Sequence, residues 1–230
     1  MFRLRATQLL CSAMIVDEIT THRLVLRRFV LQDAADLFAM DTDPNVRRFV
    51  EDGQPVTLDA AIASIESWSQ LSGPDTKFGF WAVIERATGN FVGWVHLLVS
   101  NGRLPDEPEL GYRFVSSSWN KGFATEGSVA LIDRAFQSTA IRRVVAETMA
   151  VNSASRRVME KVGMCLVRTF TTTWPVHILG DEHGDVEYAI TVEQWAQRPT
   201  AVDSTHELST VDRPLHETGA RDRDESLLWP

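Results

Sequence analysis

Residues 23–29 alternate apolar and basic side chains, the period-two signature of a strand with one buried face. Residues 31–40 then follow a helical period, which Asp41-Thr42-Asp43-Pro44-Asn45 breaks. Pro55-Val56-Thr57 introduces a second helix near 58–71, whose Ala61, Ile62, Ile65 and Trp68 share one apolar side and read as core. Two apolar runs, 78–86 and 91–99, flank Ala87-Thr88-Gly89-Asn90 and predict a β-hairpin. An exposed loop with two prolines spans 101–108, and further strands are predicted over 109–115, 142–148, 165–173 and 185–191. A helix is predicted over 124–138 and another over 153–162. In the second, Asn152 or Ser153 supplies the cap, Ala154, Val158 and Val162 share a face, and Gly163 is the left-handed stop. A helical turn at 192–197 closes the series. The order βαα-βββ-αβ-αββ predicts an α+β fold, a mixed sheet with helices on both faces.

The 230 residues suffice for one well-buried domain. It is placed at 19–197, between a leader, 1–18, and a tail, 198–230. Arg3 and Arg5 before a short apolar run resemble a secretory signal only in part, because Ser12 interrupts the run and no small-x-small cleavage site follows. Met14 is the expected functional start, since residues 14–20 lead straight into the first strand. Residues 199–230 hold seven acidic and three basic residues without apolar periodicity, so an acidic, disordered tail is expected.

The net charge of −8 argues against a general nucleic-acid binder and is compatible with a cationic amine as substrate. No stretch approaches the ~20 apolar residues of a membrane span, so no membrane association and a cytoplasmic location are expected. Cys11 and Cys165 give neither a disulfide framework nor metal-ligand spacing, and Cys165 is expected to be a buried thiol. His177, His183 and Asp185 lie among Gly and Pro at scattered spacing, which reads as a hairpin turn; no metal is assigned.

The chemistry concentrates in Trp119-Asn120-Lys121-Gly122-Phe123-Ala124-Thr125-Glu126, between a predicted strand and a predicted helix. A loop of this kind leaves backbone N–H groups open at the positive end of the helix dipole, a setting for phosphate or pyrophosphate. Gly122 lets the backbone approach such an anion without a Cβ in the way. Together with Glu109-Leu110-Gly111-Tyr112 and Asn152…Ser155…Gly163-Met164, this segment resembles the GNAT acetyltransferases. Thr21-His22-Arg23-Leu24-Val25-Leu26-Arg27 is similar to the opening strand of their RimJ/RimL-like branch. The resemblance covers roughly residues 19–197. It implies a mostly antiparallel central sheet, splayed between its fourth and fifth strands at 109–115 and 142–148, and acetyl-CoA as co-substrate.

The same resemblance assigns roles to residues. Backbone N–H groups of Lys121, Gly122, Phe123, Ala124 and Thr125 would hold the pyrophosphate, Lys121 adding charge or simply pointing to solvent. Trp119 stands where the family often has Gln or Arg, and either stacks on the cofactor or packs on the sheet. The pantetheine arm would lie along 109–115 like a pseudo-strand, with a backbone N–H at Phe114 or Val115 polarising the thioester carbonyl. Asn152 would bond the arm, cap its helix, or do both. Many relatives carry a helical tyrosine as acid where this chain has Met159. Ser155 is then the candidate acid, or else a plain helix-surface serine.

Glu109 is the candidate base, acting through water, or else a solvated strand-end carboxylate; Glu147 and His96 are lesser candidates. The loop at 174–185 is expected to overhang the acceptor site, with Asp181, Glu182 and Asp185 recognising a cation. The implied reaction is direct attack by a primary amine, on a protein N-terminus or a small molecule, in a ternary complex. A homodimer, common among such relatives, is one assembly open to the chain. Two other readings stay open. One is a non-catalytic acyl-CoA-binding regulatory or assembly protein, suggested by Met159 and the acidic tail. The other, a nucleotide-binding module on the Gly122 loop, lacks a Gly-Lys-Ser/Thr motif.

Overall fold

The sheet begins one element earlier than the alternation alone suggests. The computed structural model describes residues 17–198 except 51–55, 72–77, 100–101, 139 and 173–175. In it β1 (Glu18–Thr20) pairs antiparallel with β2 (Leu24–Arg28). Three helices follow, α1 (Ala34–Asp41), α2 (Pro44–Arg47) and α3 (Leu58–Gln70), and then β3 (Gly79–Glu85), β4 (Phe91–Leu98) and β5 (Glu109–Phe114). The unit closes with α4 (Phe123–Phe136), β6 (Arg143–Met149), α5 (Ser153–Val162), β7 (Cys165–Phe170), β8 (Asp185–Thr191) and α6 (Val192–Ala196). The leader through residue 16 and the tail from 199 lie outside the described residues. No described helix is long and apolar enough to cross a membrane.

The eight strands run in the order β1-β2-β3-β4-β5-β6-β8-β7, antiparallel throughout except at β5–β6. This is the α+β fold that the order of elements predicts, with the mostly antiparallel sheet that the family resemblance implies. The parallel junction is short: one register pair, Glu109 with Val145, and a bond from the Val145 N–H to Pro108 O at 3.0 Å. Past that pair the two strands diverge, and β6 takes its ladder along its whole length from β8.

Strand β4 shows why the run from Phe91 to Leu98 is almost continuously apolar. Val95 and Leu97 face a core that α4 and α5 cover, together with Leu24, Leu26, Trp81, Leu110 and Phe114. Trp94 faces a second core under α1 and α3, with Phe29, Phe80 and Ala82. Both faces are covered, so both must be apolar. Trp68 anchors α3 there by stacking on Phe80, with centroids 4.1 Å apart and planes 10° from parallel.

One local reading is extended and one changes. The breaker at 41–45 ends α1, as expected, and also starts a helix: the Asp43 carboxylate accepts the Asn45 N–H at 2.9 Å, and Pro44 opens α2. Cys165 is exposed rather than buried, because β7 lies outside β8 at the sheet margin with a single neighbour. Leu166 and Val167 beside it are about half exposed.

Candidate active site

Gly122 stands in the left-handed region at φ +80°, with Asn120 also there at +60°. No side chain caps α4, and its first internal bond runs from the Glu126 N–H to Gly122 O at 3.0 Å. The N–H groups of Phe123, Ala124 and Thr125 are those that an α-helix leaves open at its start. Arg23, just before β2, braces the loop from outside. Its Nη1 donates to Lys121 O at 2.8 Å, its Nε to Glu126 at 2.7 Å, and its guanidinium lies 4.9 Å from the Phe123 ring centroid. Glu126 also accepts the Thr21 hydroxyl and the Arg23 N–H, at 2.6 and 2.8 Å. Burial works to raise its pKa, but these bonds from Thr21 and Arg23 outweigh it and hold the carboxyl below its ordinary value.

A Cβ on Gly122 would come 3.3 Å from Arg23 Nη2. Gly122→Val therefore forces a branched residue into a left-handed φ, a strain of order 1–3 kcal/mol, and crowds the brace. Affinity for acetyl-CoA, the co-substrate that the resemblance implies for this loop, is expected to fall about tenfold or more. Isothermal titration against the wild type checks this, with an unchanged circular dichroism spectrum as the control for folding.

The seam between β5 and β6 starts where Glu109 and Val145 part. The Val115 N–H donates to Val92 O at 3.1 Å, so it is committed to β4. Alternation along β5 then turns the Phe114 N–H the other way, toward β6. Of the two amides read from the sequence, Phe114 supplies the one that faces the seam. The Phe114 carbonyl accepts Trp119 Nε1 at 2.8 Å, while the Trp119 side chain stays 45% exposed. The indole is thus pinned to the end of the sheet with part of its surface open.

Helix α5 starts beside this seam. Asn152 is its cap: Oδ1 accepts the Ser155 N–H at 3.2 Å, and Nδ2 donates to Thr148 Oγ1 at 3.1 Å. The Ser155 hydroxyl lies 3.0 Å from Tyr112 Oη, which donates to Ser155 O at 2.9 Å. Met159 is buried to 1% exposure and serves the core.

On the opposite face of the sheet, cross-strand register groups Glu109 with Leu98, Gly111 with His96, and Arg113 with Trp94. A Cβ on Gly111 would lie 2.5 Å from the His96 ring, so the imidazole fills the space a side chain there would need. Burial, and then the Arg113 charge, lower the His96 pKa to about 4, which keeps the ring neutral near pH 7. Its Nδ1 is buried and has no partner among the described residues. Arg113 itself is held by Asp41 at 2.7 Å and sits 5.4 Å from the Trp94 ring centroid.

Beyond Glu109 on that face, Glu147 pairs with Arg103, and burial first, then Glu109 and Glu187, raise its pKa against the Arg103 charge. Glu187, opposite Glu147 on β8, is 3% exposed and meets Arg103, Arg143 and Arg168 at 2.9, 3.0 and 2.8 Å.

The loop before β8 presents its carboxylates less than expected. Asp181 accepts His177 Nδ1 at 2.9 Å and the Ile178 N–H at 3.1 Å, and Asp185 is buried at 3% exposure. Glu182 stays exposed although it accepts the Gly180 N–H. No cluster of three His, Cys, Asp or Glu among the described residues is placed to hold a metal. Sequence reasoning missed Arg23, Arg103, Tyr112 and Glu187. Arg23 and Tyr112 lie inside the quoted motifs, the only signal available for either.

An open helix start, a parting between two parallel strands and a hydroxyl on the next helix are the arrangement that the resemblance implies for a transferase working on an acyl-coenzyme A. Residues 23–165 match the family model described as an acetyltransferase (GNAT) domain. The FsC-acetyl coenzyme A-N(2)-transacetylase of Aspergillus fumigatus is 35% identical over 174 residues, covering 72% of this chain and 73% of its own. RimL, a ribosomal alpha-N-protein acetyltransferase solved with coenzyme A, superposes with TM-score 0.65 at 18% identity, over 77% of this chain and 99% of its own. Mycobacterium smegmatis RimJ, solved with a CoA disulfide, gives 0.63 at 20% identity over 76% and 84%. The chain belongs to the GNAT acetyltransferases, and acetyl-CoA is its acetyl donor.

Proposed function

We propose that this enzyme acetylates a free α-amino nitrogen by direct attack in a ternary complex, without an acyl-enzyme. The observation that carries the reading is the parting of β5 and β6, flanked by the open start of α4 and by Ser155 on α5. A thioester arm laid along β5 brings its carbonyl oxygen to the Phe114 N–H, which stabilises the negative charge that develops there. The attacking amine must be neutral. Glu109 takes its proton through water. The N–C bond forms, the C–S bond breaks, and the sulfur departs with a hydrogen bond from Ser155.

The choice of nitrogen is supported by the 35%-identical relative, whose name specifies N(2). Thiol release from acetyl-CoA, followed over amino-acid amides, spermidine and a free-N-terminal peptide, tests it. The amides are expected to react fastest; preference for spermidine would discard the α-amine assignment. Glu109→Gln is expected to lower kcat about tenfold or more while leaving acetyl-CoA affinity unchanged, and an unaltered kcat removes Glu109 as base.

A further inference from the structure

Ser155 does not stand alone. A phenolic oxygen carries one proton, and a carbonyl only accepts. The 2.9 Å bond from Tyr112 Oη to Ser155 O therefore consumes the phenol's proton. In the 3.0 Å contact between the two hydroxyls, Ser155 Oγ must then be the donor. At rest, the serine proton points at the tyrosine and away from any ligand. The two acceptors of the tyrosine proton, Ser155 O and Ser155 Oγ, are nearly equidistant from Oη. A turn of one hydroxyl about its C–O bond moves that proton from one to the other without displacing a heavy atom.

We infer that Tyr112 is a positioning residue for the acid step: it switches its hydrogen bond from the Ser155 carbonyl to Ser155 Oγ as Ser155 turns its own hydroxyl toward the departing sulfur. No covalent bond changes in this switch. Ser155 exchanges its tyrosine acceptor for the developing thiolate, and its oxygen, gaining negative character, receives the tyrosine proton as a hydrogen bond. Cooperative polarisation along such a chain strengthens each bond. The phenol remains protonated throughout, because burial pushes its pKa well above the ordinary value despite the opposing bond with Ser155.

The placement explains how α5 works with methionine at position 159. Tyr112 enters from β5 rather than from the helix, packs its ring against the core under α4 and α5, and delivers its hydroxyl to the first turn of α5. Ser155 Oγ is thereby fixed by a side chain 43 residues away. The Asn152 cap fixes the Ser155 backbone from the other side.

The inference rests on Ser155 as donor to the sulfur, and a double-mutant cycle separates the two claims. Thiol release from acetyl-CoA is measured with leucine amide for the wild type, Tyr112→Phe, Ser155→Ala and the double variant, with acetyl-CoA affinity by titration and thermal midpoints alongside. Tyr112→Phe is expected to lower kcat about tenfold with affinity within about twofold, and to have no further effect once Ser155 is alanine, as for residues acting as a unit. Multiplying effects on kcat, or a Tyr112→Phe kcat equal to that of the wild type, overturn the role of Tyr112 and leave the acetyltransferase reading in place. An unaltered kcat in Ser155→Ala overturns both the donor role and the positioning role built on it. Wild-type protein that binds acetyl-CoA but releases no thiol with leucine amide or with any amine of the panel above overturns the proposed reaction as well. A fall in thermal midpoint with unchanged kcat marks Tyr112 as structural only.

Discussion

Glu187→Ala is expected to lower the unfolding free energy by about 3–5 kcal/mol, the cost of removing one partner from a buried ion cluster. The carboxylate is 3% exposed and gathers three guanidinium groups, from Arg103, Arg143 and Arg168. Burial alone would push its pKa up, yet the bonds from Arg168 and Arg103 hold it below the ordinary value. Without it, Glu147 and Glu107 are left to balance three cations, and Glu147 is already partly desolvated. The thermal midpoint should fall by about 10 °C for a chain of this size. The corresponding loss for Glu147→Ala should be smaller, since that side chain keeps 30% of its exposure. Arg103 comes from the loop between β4 and β5, so the same substitution unfastens that loop from β8 and leaves it held to β6 through Glu147. Acceptor KM should rise more than acetyl-CoA KM. A midpoint within 2 °C of the wild type would show that the cluster contributes little.

Acid should weaken the fold in two separate windows, and His96 governs the upper one. Its folded pKa, about 4, lies below its ordinary value of 6.5. As the pH falls from about 6.5 toward 4, the unfolded chain takes up a proton here and the folded one does not, so stability falls with pH. At about 1.4 kcal/mol per pKa unit, the total comes to about 3 kcal/mol by pH 4. Glu187 has a depressed carboxylate pKa, so its contribution is present above the unfolded carboxylate value and is lost only as the pH drops below that range. Urea unfolding at several pH values between about 7 and about 2.5, on wild type and His96→Gln, separates the windows. The variant should lose about 3 kcal/mol less than the wild type across the upper window. Parallel curves would show that His96 takes up its proton in the fold as readily as outside it.

Order and type of the main elements were legible because each carries its own periodicity or punctuation. Alternation at 23–29, the turn at 87–90 and Gly163 as the stop of α5 all depend on neighbours in sequence, and Gly163 is indeed left-handed, at φ +96°. What escaped depends on distant partners. β1 has three residues, too few to show a period, and exists through its pairing with β2. Cys165 reads as core from its apolar neighbours, and only the strand order puts it at the margin. The open start of α4 after a left-handed Gly122 could be read because backbone geometry at a helix start needs no particular side chain beyond the glycine. The roles of Tyr112, Arg23 and Glu187 could not, since their partners stand 43, 98 to 103, and 19 to 84 residues away. Choosing between the Phe114 and Val115 amides needed the register of β4, which periodicity does not supply.

With so little joining β5 to β6, the eight strands amount to two plates clasped at Glu109 and Val145. A thioester arm lying between them would give and take hydrogen bonds where the absent rungs would have been. Loading the donor there would weld the plates, and the same act that brings the acetyl group into place would stiffen the frame on which it must be aimed.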